Sequence, residues 1–333
     1  MKLDKENTIV VFAELGRRLE TFGRDAASRA AIARASAENG WFSHGDITNS
    51  VASIRKTMLD QQALQAWAAS YPTVTTPKNV GVIMAGNIPL VGFFDLLCVI
   101  VSGHSLFLKM SSKDKALMSY MISQLTEIYP QIPIYELGDS TPDAIIATGS
   151  DNTNRYFRSR YGHLPAIFRG SRSSAAVLDG NETPEELAGL ADDIFTYSGL
   201  GCRNVSHLIL PPGYDLNVLL RAFDSWSGIN GKYMNNFRQR SSMLAVEGRP
   251  HTKGVFYILR EDEEFPAYIS EITWHASESR AATEQWLRDN DTHLQCVVGQ
   301  TEHPRGVPFG LAQSPKLTDY PDAVDVMDFL ASI

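Results

Sequence analysis

The stretch that decides the fold is NVGVIMAGNIPLVGFFDLLCVIVSGHSLFLKMSS, residues 79–112. Its first part, NVGVIMAG, is a short β-branched and aliphatic run that ends in glycine, as a buried strand does. The apolar segment that follows predicts a buried helix, the Ser102-Gly103 pair predicts a turn, and SLFLKM predicts a second strand. A strand, a crossover helix and a second strand form a βαβ unit, in which the two strands run parallel.

The same stretch contains a segment, 88–108, that is about as long as a membrane span, so a transmembrane helix has to be considered. Asp95 and His104 would be costly in a bilayer, and the turn at Ser102-Gly103 interrupts the apolar run. The N-terminal apolar run is too short and too closely flanked by charges for a signal peptide. We therefore predict a cytoplasmic protein without a membrane-spanning segment.

Strand and helix patterns alternate on both sides of this unit. Downstream, KDKALMSYMISQLTEIY predicts an amphipathic helix, IPIYELG and DAIIATGS predict strands, and a helix and two more strands follow before residue 180. This alternation predicts a doubly wound α/β fold with a parallel sheet, in which ligands bind at the carboxyl ends of the strands. Residues up to Pro72 predict helices, and a second α/β segment begins near residue 199, with a polar loop over 228–240.

Composition narrows the class of protein. The 333 residues are 44% hydrophobic and 20% charged, as in ordinary soluble proteins. The formal net charge is −8, and the sequence contains no cluster of basic residues that could form a face for binding nucleic acid. Three widely spaced cysteines without a CxxC pair argue against a disulfide framework and against a zinc cage. The eight histidines are scattered, so we predict no metal site and no nucleic-acid partner.

One cysteine differs from the other two. In TYSGLGCRNVS, residues 196–206, Cys202 follows a glycine-rich turn that permits close backbone approach, and Arg203 would favour its thiolate. A thiolate in such a place is a candidate nucleophile, whereas the alternative is a small buried hydrophobic residue. Cys98 and Cys296 lie in apolar segments and are predicted to be core residues.

Polar residues follow the first two predicted strands of the parallel sheet. Asn87 comes after Gly86 at a strand-to-helix junction, where an amide can donate to an oxyanion or simply serve a turn or a helix cap. Lys109, Ser111 and Ser112 end the next strand, where they would hold a nucleotide ribose or phosphate, or form a solvated loop. Neither GxGxxG nor a Walker loop is present.

Taken in order, these segments resemble the aldehyde dehydrogenase superfamily. More closely, they resemble its acyl-CoA reductase branch, which includes the fatty-acid reductases of bacterial bioluminescence. The stretch VIMAGNIPLVGFFDLLCVIVSGHSLFLKMSS is similar to the superfamily's Asn-x-Pro segment, helix and Lys-ending strand, and IIATGSDNT to its Gly-Ser turn. The strand pair FRGSRSSAAVL, the nucleophile turn YSGLGCRN and the VPFG of 307–310 complete the set, which covers roughly residues 40–325.

The resemblance implies an aldehyde-dehydrogenase-like fold in four segments: N-terminal helices over 1–72, a Rossmann-like dinucleotide-binding domain over 73–198, a smaller α/β catalytic domain over 199–318 and a C-terminal tail over 319–333. It implies that Cys202 is the nucleophile and that the Asn87 amide stabilises the oxyanion together with the Cys202 N–H. It also implies a set of cofactor-binding residues, with Lys109 and Ser111 at the adenosine ribose and Gly149 and Ser150 in the turn beside the dinucleotide.

Two departures from the superfamily pattern bear on the reaction. The position of the glutamate that activates water in hydrolytic aldehyde dehydrogenases is Phe168 here, so an acyl-Cys202 intermediate would await hydride or a thiol. The position that often carries an acidic ribose ligand is Ser112, which removes a repulsion against a 2′-phosphate and favours NADPH over NADH. The resemblance therefore implies reduction of an acyl thioester, from acyl-CoA or an acyl-enzyme donor, to an aldehyde.

Other readings stay open at this point. Glu264, in EDEEFP, matches the superfamily's ligand of the nicotinamide ribose, but the segment lacks the usual glycine and would also suit an exposed acidic loop. An aldehyde-oxidising dehydrogenase and a non-catalytic acyl-binding relative are the alternative functions. The chain is shorter than most superfamily members, which puts the usual oligomerisation hairpin in question and leaves a homodimer open.

Overall fold

The computed structural model describes residues 4–333, so the first three residues of the predicted N-terminal helical segment lie outside it. In chain order, its first elements are α1 (Lys5–Arg18), α2 (Ala26–Glu38), α3 (His44–Met58), α4 (Gln61–Ala69), β1 (Asn79–Ile83), α5 (Phe93–Ser102), β2 (Ser105–Lys109), α6 (Lys115–Ile128), β3 (Ile134–Glu136), β4 (Ala144–Thr148), α7 (Asp151–Tyr161) and β5 (Ala166–Arg169). The predicted strand, helix and strand of the opening stretch are therefore confirmed as β1, α5 and β2.

The remaining elements are β6 (Ser173–Val177), α8 (Pro184–Phe195), β7 (Val205–Leu210), α9 (Leu216–Asp224), α10 (Gly231–Glu247), β8 (Thr252–Lys253), β9 (Ile258–Glu261), β10 (Glu271–Ala276), α11 (Arg280–Asp289), β11 (Leu294–Gly299), β12 (Gly306–Val307) and α12 (Val326–Ser332). Short 3-10 turns lie between some of them. Within residues 4–333, no helix is both long enough and apolar enough to cross a membrane.

The chain divides into two compact units. Unit 1 contains the residues up to 171 together with 314–333, and unit 2 contains residues 172–313. The division differs from the predicted boundary between residues 198 and 199, because β6 pairs with β7 and β11 and so belongs to the second sheet. The predicted C-terminal tail ends in α12, which packs on α5 within unit 1.

Unit 1 is built on a sheet of five parallel strands in the order β3-β2-β1-β4-β5. All ten residues of α5 are buried, which explains why the sequence there is apolar on every side. The helix ends at Gly103, which adopts a left-handed φ of 95° as C-terminal cap. Because strand order reverses between β1 and β4, the carboxyl ends of these strands form the crevice where doubly wound sheets bind ligands.

Unit 2 is built on a second sheet in the order β12-β11-β6-β7-β10-β9-β8, in which only β8 runs antiparallel to its neighbour. The strands β6, β7, β10 and β11 occupy its centre, and most of their residues are buried. The first sheet confirms the predicted parallel α/β core, and the second shows that the predicted second α/β domain also has a largely parallel sheet.

The predicted polar loop over 228–240 is wrong, because most of this stretch is helical. The helix α10 begins after Asn230, whose side chain accepts the Lys232 N–H at 2.7 Å, and ends at a left-handed Gly248. Its buried face recurs at helical spacing, and its members are Tyr233, Phe237, Arg240 and Leu244. Tertiary burial of this narrow stripe outweighs the local preference of glycine and asparagine for turns.

The core of unit 2 contains a stack of aromatic rings around a buried histidine. The His207 ring lies parallel to Trp286, with centroids 4.5 Å apart, and its two nitrogens contact Thr273 Oγ1 and His275 Nδ1, each at 2.8 Å. Burial, followed by the charge of His275, lowers the pKa of His207 from 6.5 to about 3. The folded protein therefore excludes a proton that the unfolded chain accepts near neutral pH.

This pKa shift predicts a specific loss of stability in acid. Below pH 6.5 the unfolded state binds the His207 proton and the folded state does not, so the free energy of unfolding falls by about 1.4 kcal/mol per pH unit until the folded pKa is reached. Urea unfolding at pH 7 and pH 5 tests this in the wild type and in His207→Phe. We expect the wild type to lose about 1–2 kcal/mol more than the variant over this interval. Equal losses would contradict the prediction.

Candidate active site

Within unit 1, the predicted functional residues lie together at the carboxyl edge of the sheet. Ile83 pairs with Lys109, so the Asn87 loop and the end of β2 leave the sheet side by side. Gly86 lies so close to Ser111 that a side chain at position 86 would collide with Ser111 Oγ. The structure thus places Asn87 next to the predicted ribose-binding segment, and the Asn87 side chain is exposed.

The loop that carries Asn87 is held on two sides. The Ser50 hydroxyl donates to the Pro89 carbonyl at 2.7 Å, and the Leu90 N–H donates to Asp114 Oδ2 at 2.7 Å. Leu90 adopts a left-handed φ of 58°, which is unfavourable for a residue with a Cβ and has to be held by its surroundings. Burial raises the pKa of Asp114 to about 8, although the Leu90 N–H lowers it.

On the other side of β1, β4 ends next to the Gly149-Ser150 turn, and β5 ends at Arg169, one residue after Phe168. The Gly149 N–H donates to the Arg169 carbonyl at 3.1 Å, and Ser150 caps the N-terminus of α7 through the Thr153 N–H. The Gly149-Ser150 turn therefore leads directly into the amino end of α7 at the crevice. The free N–H groups at this helix end favour the binding of anions such as phosphate. Phe168 pairs with Ala147 in the sheet.

A buried ion pair joins the end of β5 to the first turn of α5. Arg169 Nη1 donates to Asp95 Oδ2 at 2.7 Å, and both side chains are almost completely buried. Asp95 would have been costly in a membrane, and here its charge is matched by the guanidinium of Arg169. The pair fixes the helix that follows the Asn87 loop against the strand that carries Phe168.

Within unit 2, Cys202 lies between the end of α8 and the start of β7. It is half-buried, whereas Cys98 and Cys296 are buried, as predicted for core residues. The chain approaches Cys202 through three successive left-handed residues, Tyr197, Ser198 and Gly199, with φ values of 57°, 57° and 67°. Left-handed backbone at two residues with side chains is a strained conformation of the kind that clusters at functional sites.

A buried carboxylate links this region to the VPFG segment of 307–310. Asp193, near the end of α8, accepts the N–H groups of Gly310 at 2.7 Å and of Ala312 at 2.9 Å. Burial raises the pKa of Asp193 to about 7, although these two hydrogen bonds lower it. The Arg203 guanidinium donates to the Ala312 carbonyl at 2.6 Å, so the structure brings the predicted nucleophile turn and the predicted closing segment together.

Glu264 lies elsewhere in unit 2. It is exposed and follows β9 at the carboxyl edge of the sheet, whereas Cys202 precedes β7 at the amino edge. The six residues of β7 separate these edges by about 20 Å. The structure therefore gives Glu264 the exposed loop position that the sequence left open as its alternative, and we leave Glu264 out of the proposed site.

A cavity of about 840 Å³ also lies at the carboxyl edge of this sheet. Its lining includes Leu178, Leu210, Arg280 and Thr301, which follow or flank β6, β7, β10 and β11. The cavity is thus at the edge opposite Cys202. Among residues 4–333, no group of three or more histidine, cysteine, aspartate or glutamate side chains is arranged to hold a metal ion.

The sequence prediction missed Asn204, Ser174 and Asp193, which hold the Cys202 turn in place. The helical spacing of Gly189, Leu190 and Asp193 puts this aspartate on the apolar face of α8, so its burial could have been predicted from the sequence. Asn204 at the fourth position of a turn that begins at Gly201 is a second readable signal. The role of Ser174 depends on pairing between distant strands, which local sequence does not reveal.

The fold of the two units is that of the aldehyde dehydrogenases. The structure matches an NAD+ complex of an aldehyde dehydrogenase from Bacillus cereus with a TM-score of 0.61, at 14% identity, over 91% of this chain and 73% of that one. It matches aldehyde dehydrogenase 21 from Physcomitrella patens, in complex with the product succinate, with a TM-score of 0.67, at 12% identity, over 100% of this chain and 84% of that one. The predicted aldehyde-dehydrogenase-like fold is confirmed.

Sequence comparison narrows this class to one family. A long-chain acyl-protein thioester reductase from Aliivibrio fischeri is 25% identical over 197 residues, which cover 51% of this chain and 40% of that protein. The chain thus matches less than half the length of this relative. Residues 19–212 match the sequence model of the acyl-CoA reductase (LuxC) family, and the chain belongs to that family.

Proposed function

We propose that the protein reduces a long-chain acyl thioester to an aldehyde through an acyl intermediate on Cys202. Membership of the acyl-CoA reductase (LuxC) family is the observation that carries this proposal. The similarity to a long-chain acyl-protein thioester reductase supports a long acyl chain, with acyl-CoA or an acyl-protein as donor. The half-buried thiol behind a strained turn supports Cys202 as the reacting group.

In the first step the Cys202 thiolate attacks the acyl carbon to form a tetrahedral oxyanion, which collapses as the donor sulfur leaves with the bonding electron pair as a thiolate. The oxyanion formed in this step accepts hydrogen bonds from the Asn87 amide and the Cys202 N–H. After hydride reaches the acyl carbon, the resulting thiohemiacetal anion collapses to the aldehyde and restores the thiolate. Each oxyanion donor is worth about 3 kcal/mol of transition-state stabilisation.

The residues at the carboxyl edge of unit 1 fit a reduced nicotinamide dinucleotide, which supplies the hydride when it is bound. Lys109 is an exposed cation beside the Ser111 and Ser112 hydroxyls, and α7 directs its amino end to the same edge. Lys109 and Ser111 would hold the adenosine ribose, and Gly149 with Ser150 would adjoin the dinucleotide. Ser112 carries no negative charge and so would not repel the 2′-phosphate of NADPH.

Two observations favour reduction over aldehyde oxidation. By the resemblance to aldehyde dehydrogenases, Phe168 matches the position of the carboxylate base of the hydrolytic enzymes, and its phenyl ring, 5.0 Å from the Arg158 guanidinium, cannot activate water. On the side of unit 2, the carboxylate of Asp193 binds two backbone N–H groups with its two oxygens, which leaves it poorly suited to activate water. An acyl-Cys202 intermediate would therefore persist until hydride arrives.

Product analysis tests the proposed function. The purified protein is supplied with a long-chain acyl-CoA and NADPH, and aldehyde, coenzyme A and NADPH are quantified together. We expect aldehyde, released coenzyme A and oxidised NADPH in equal amounts. Steady oxidation of a long-chain aldehyde without coenzyme A would instead identify an aldehyde dehydrogenase, and release of coenzyme A without NADPH oxidation would identify an acyl carrier.

The choice of cofactor gives a separate prediction. Ser112→Asp places a carboxylate beside the proposed 2′-phosphate, so kcat/KM for NADPH is expected to fall at least about tenfold relative to kcat/KM for NADH. Ser123→Asp adds the same charge on the exposed face of α6 and serves as the control. If both variants keep the wild-type ratio of the two cofactors, Ser112 is not near the 2′ position.

A further inference from the structure

The buried residue Asn204 contacts the two peptide units that flank the Gly201 Cα, one through its backbone and the other through its side chain. The Asn204 N–H donates to the Gly201 carbonyl at 3.1 Å, and Asn204 Oδ1 accepts the Gly201 N–H at 2.8 Å. The peptide is trans, as are all peptides described, so the Cys202 N–H points opposite to the Gly201 carbonyl and away from Asn204. The orientation of the Cys202 N–H therefore follows from the contacts of Asn204.

The side chain of Asn204 also holds the chain ahead of the strained run at Tyr197, Ser198 and Gly199. Its Nδ2 group lies 3.1 Å, 3.0 Å and 2.8 Å from three backbone carbonyl oxygens, those of Asp193, Ile194 and Thr196. These carbonyls lie at the end of α8, where the last carbonyl groups of a helix have no hydrogen-bond donor within the helix. Asn204 thus clamps both ends of the left-handed segment, with 3% of its surface exposed.

A second contact fixes the next peptide. The buried Ser174 hydroxyl, on β6, donates to the Cys202 carbonyl at 3.0 Å. The peptide that contains the Cys202 N–H is therefore held by the backbone N–H of Asn204. The Asn204 side chain holds the peptide before it through the Gly201 N–H, and Ser174 holds the peptide after it. Neither side chain bonds the Cys202 thiol in these contacts, so both act on the backbone around it.

We propose that Asn204 is a positioning residue, which orients the Cys202 N–H as a donor to the acyl oxyanion. This inference rests on the proposed function, because an oxyanion forms only if Cys202 attacks an acyl group. Donors that are oriented before the reaction stabilise developing charge without reorganisation, and small displacements are costly. Asn204 should therefore affect reactions that form an oxyanion and spare reactions of the same thiol that do not.

Two reactions of Cys202 distinguish a loss of oxyanion stabilisation from a general loss of thiol reactivity. Acylation by a long-chain acyl-CoA passes through a tetrahedral oxyanion, whereas alkylation by iodoacetamide displaces iodide at a saturated carbon and forms none. In Asn204→Ala, followed by intact-mass spectrometry in a single turnover, we expect acylation to slow by about 30–100-fold. Alkylation is expected to stay within about threefold of the wild type, because it needs no oxyanion donor.

Further variants keep the test decisive if Asn204→Ala unfolds. Asn204→Asp retains the acceptor for the Gly201 N–H but loses the Nδ2 donors, and Ser174→Ala loses only the contact to the next peptide and to Cys296. We expect the ratio of acylation to alkylation to fall at least about fivefold in both. Leu287→Ala, which opens the buried core on α11, is the control for lower stability, and its ratio should match the wild type.

The outcomes distinguish this inference from the proposed function. An unchanged ratio in the Asn204 variants, or an equal loss of both rates, would overturn the positioning role of Asn204 while leaving acylation of Cys202 intact. A wild-type protein that is alkylated but never acylated would overturn both. A fall in the ratio confined to the Asn204 and Ser174 variants supports the inference.

Discussion

Replacing Cys202 by serine is expected to reduce aldehyde formation from a long-chain acyl-CoA by at least about 10³-fold. A serine hydroxyl at the same place is almost entirely protonated at neutral pH and is therefore a far weaker nucleophile than a cysteine thiolate. Asp193, near the end of α8, accepts two backbone N–H groups with its carboxylate. The variant should keep its cofactor affinity, because the proposed dinucleotide residues all lie in unit 1.

The matched control for this variant is Cys98→Ala. Cys98 is completely buried in α5, and burial raises the pKa of its thiol well above the ordinary value, so it is a poor nucleophile. Removing it should lower stability but leave the rate of aldehyde formation within a few fold of the wild type. If Cys98→Ala abolished activity in a folded protein, or Cys202→Ser retained it, the assignment of the nucleophile would be wrong.

The second large effect concerns Asn87. In Asn87→Ala the acylation rate should fall by about 10²–10³-fold, or about 3–4 kcal/mol, because the oxyanion loses its side-chain donor. The Asn87 loop is fixed by Ser50 and Asp114 through its own backbone, so removing the exposed amide should leave the loop in place. Single-turnover kinetics measure the acylation rate, and urea unfolding of the same preparation shows whether the fold is unchanged.

Asn152→Ala makes the same chemical change on the exposed surface of α7 and should leave acylation unchanged. A loss in Asn87→Ala accompanied by an equal loss of iodoacetamide reactivity at Cys202 would point to a disturbed site rather than a missing donor. A loss confined to acylation identifies the amide as the donor.

Local patterns in the sequence predicted unit 1 well. The apolar helix α5, the glycine turn after it and the strands around it follow from hydrophobic runs and turn residues that act over short distances. The same patterns placed Asn87, Lys109 and Gly149 at strand ends, and the parallel sheet brought them to one edge.

What the sequence did not predict depends on contacts between distant segments. The strand β6 belongs to unit 2 because it pairs with β11, about 120 residues further on, and no local signal reveals that pairing. The helix α10 depends on burial of a stripe that includes Arg240, which donates to Glu271 Oε2 at 2.7 Å. Around Cys202, the glycines in the sequence predicted the turn. The contacts of Asn204 with the end of α8 were not predictable, because they depend on the folded chain placing that end beside Asn204.

The central claim is that an acyl group is carried on Cys202 and discharged by hydride, and intact-mass spectrometry tests it most directly. The wild-type protein is mixed with a long-chain acyl-CoA, its mass is recorded, NADPH is added, and the mass is recorded again. The account predicts a single acyl adduct that peptide mapping places on Cys202, and that disappears with NADPH as aldehyde is formed. An adduct on another residue, an adduct that NADPH leaves in place, or no adduct would contradict it.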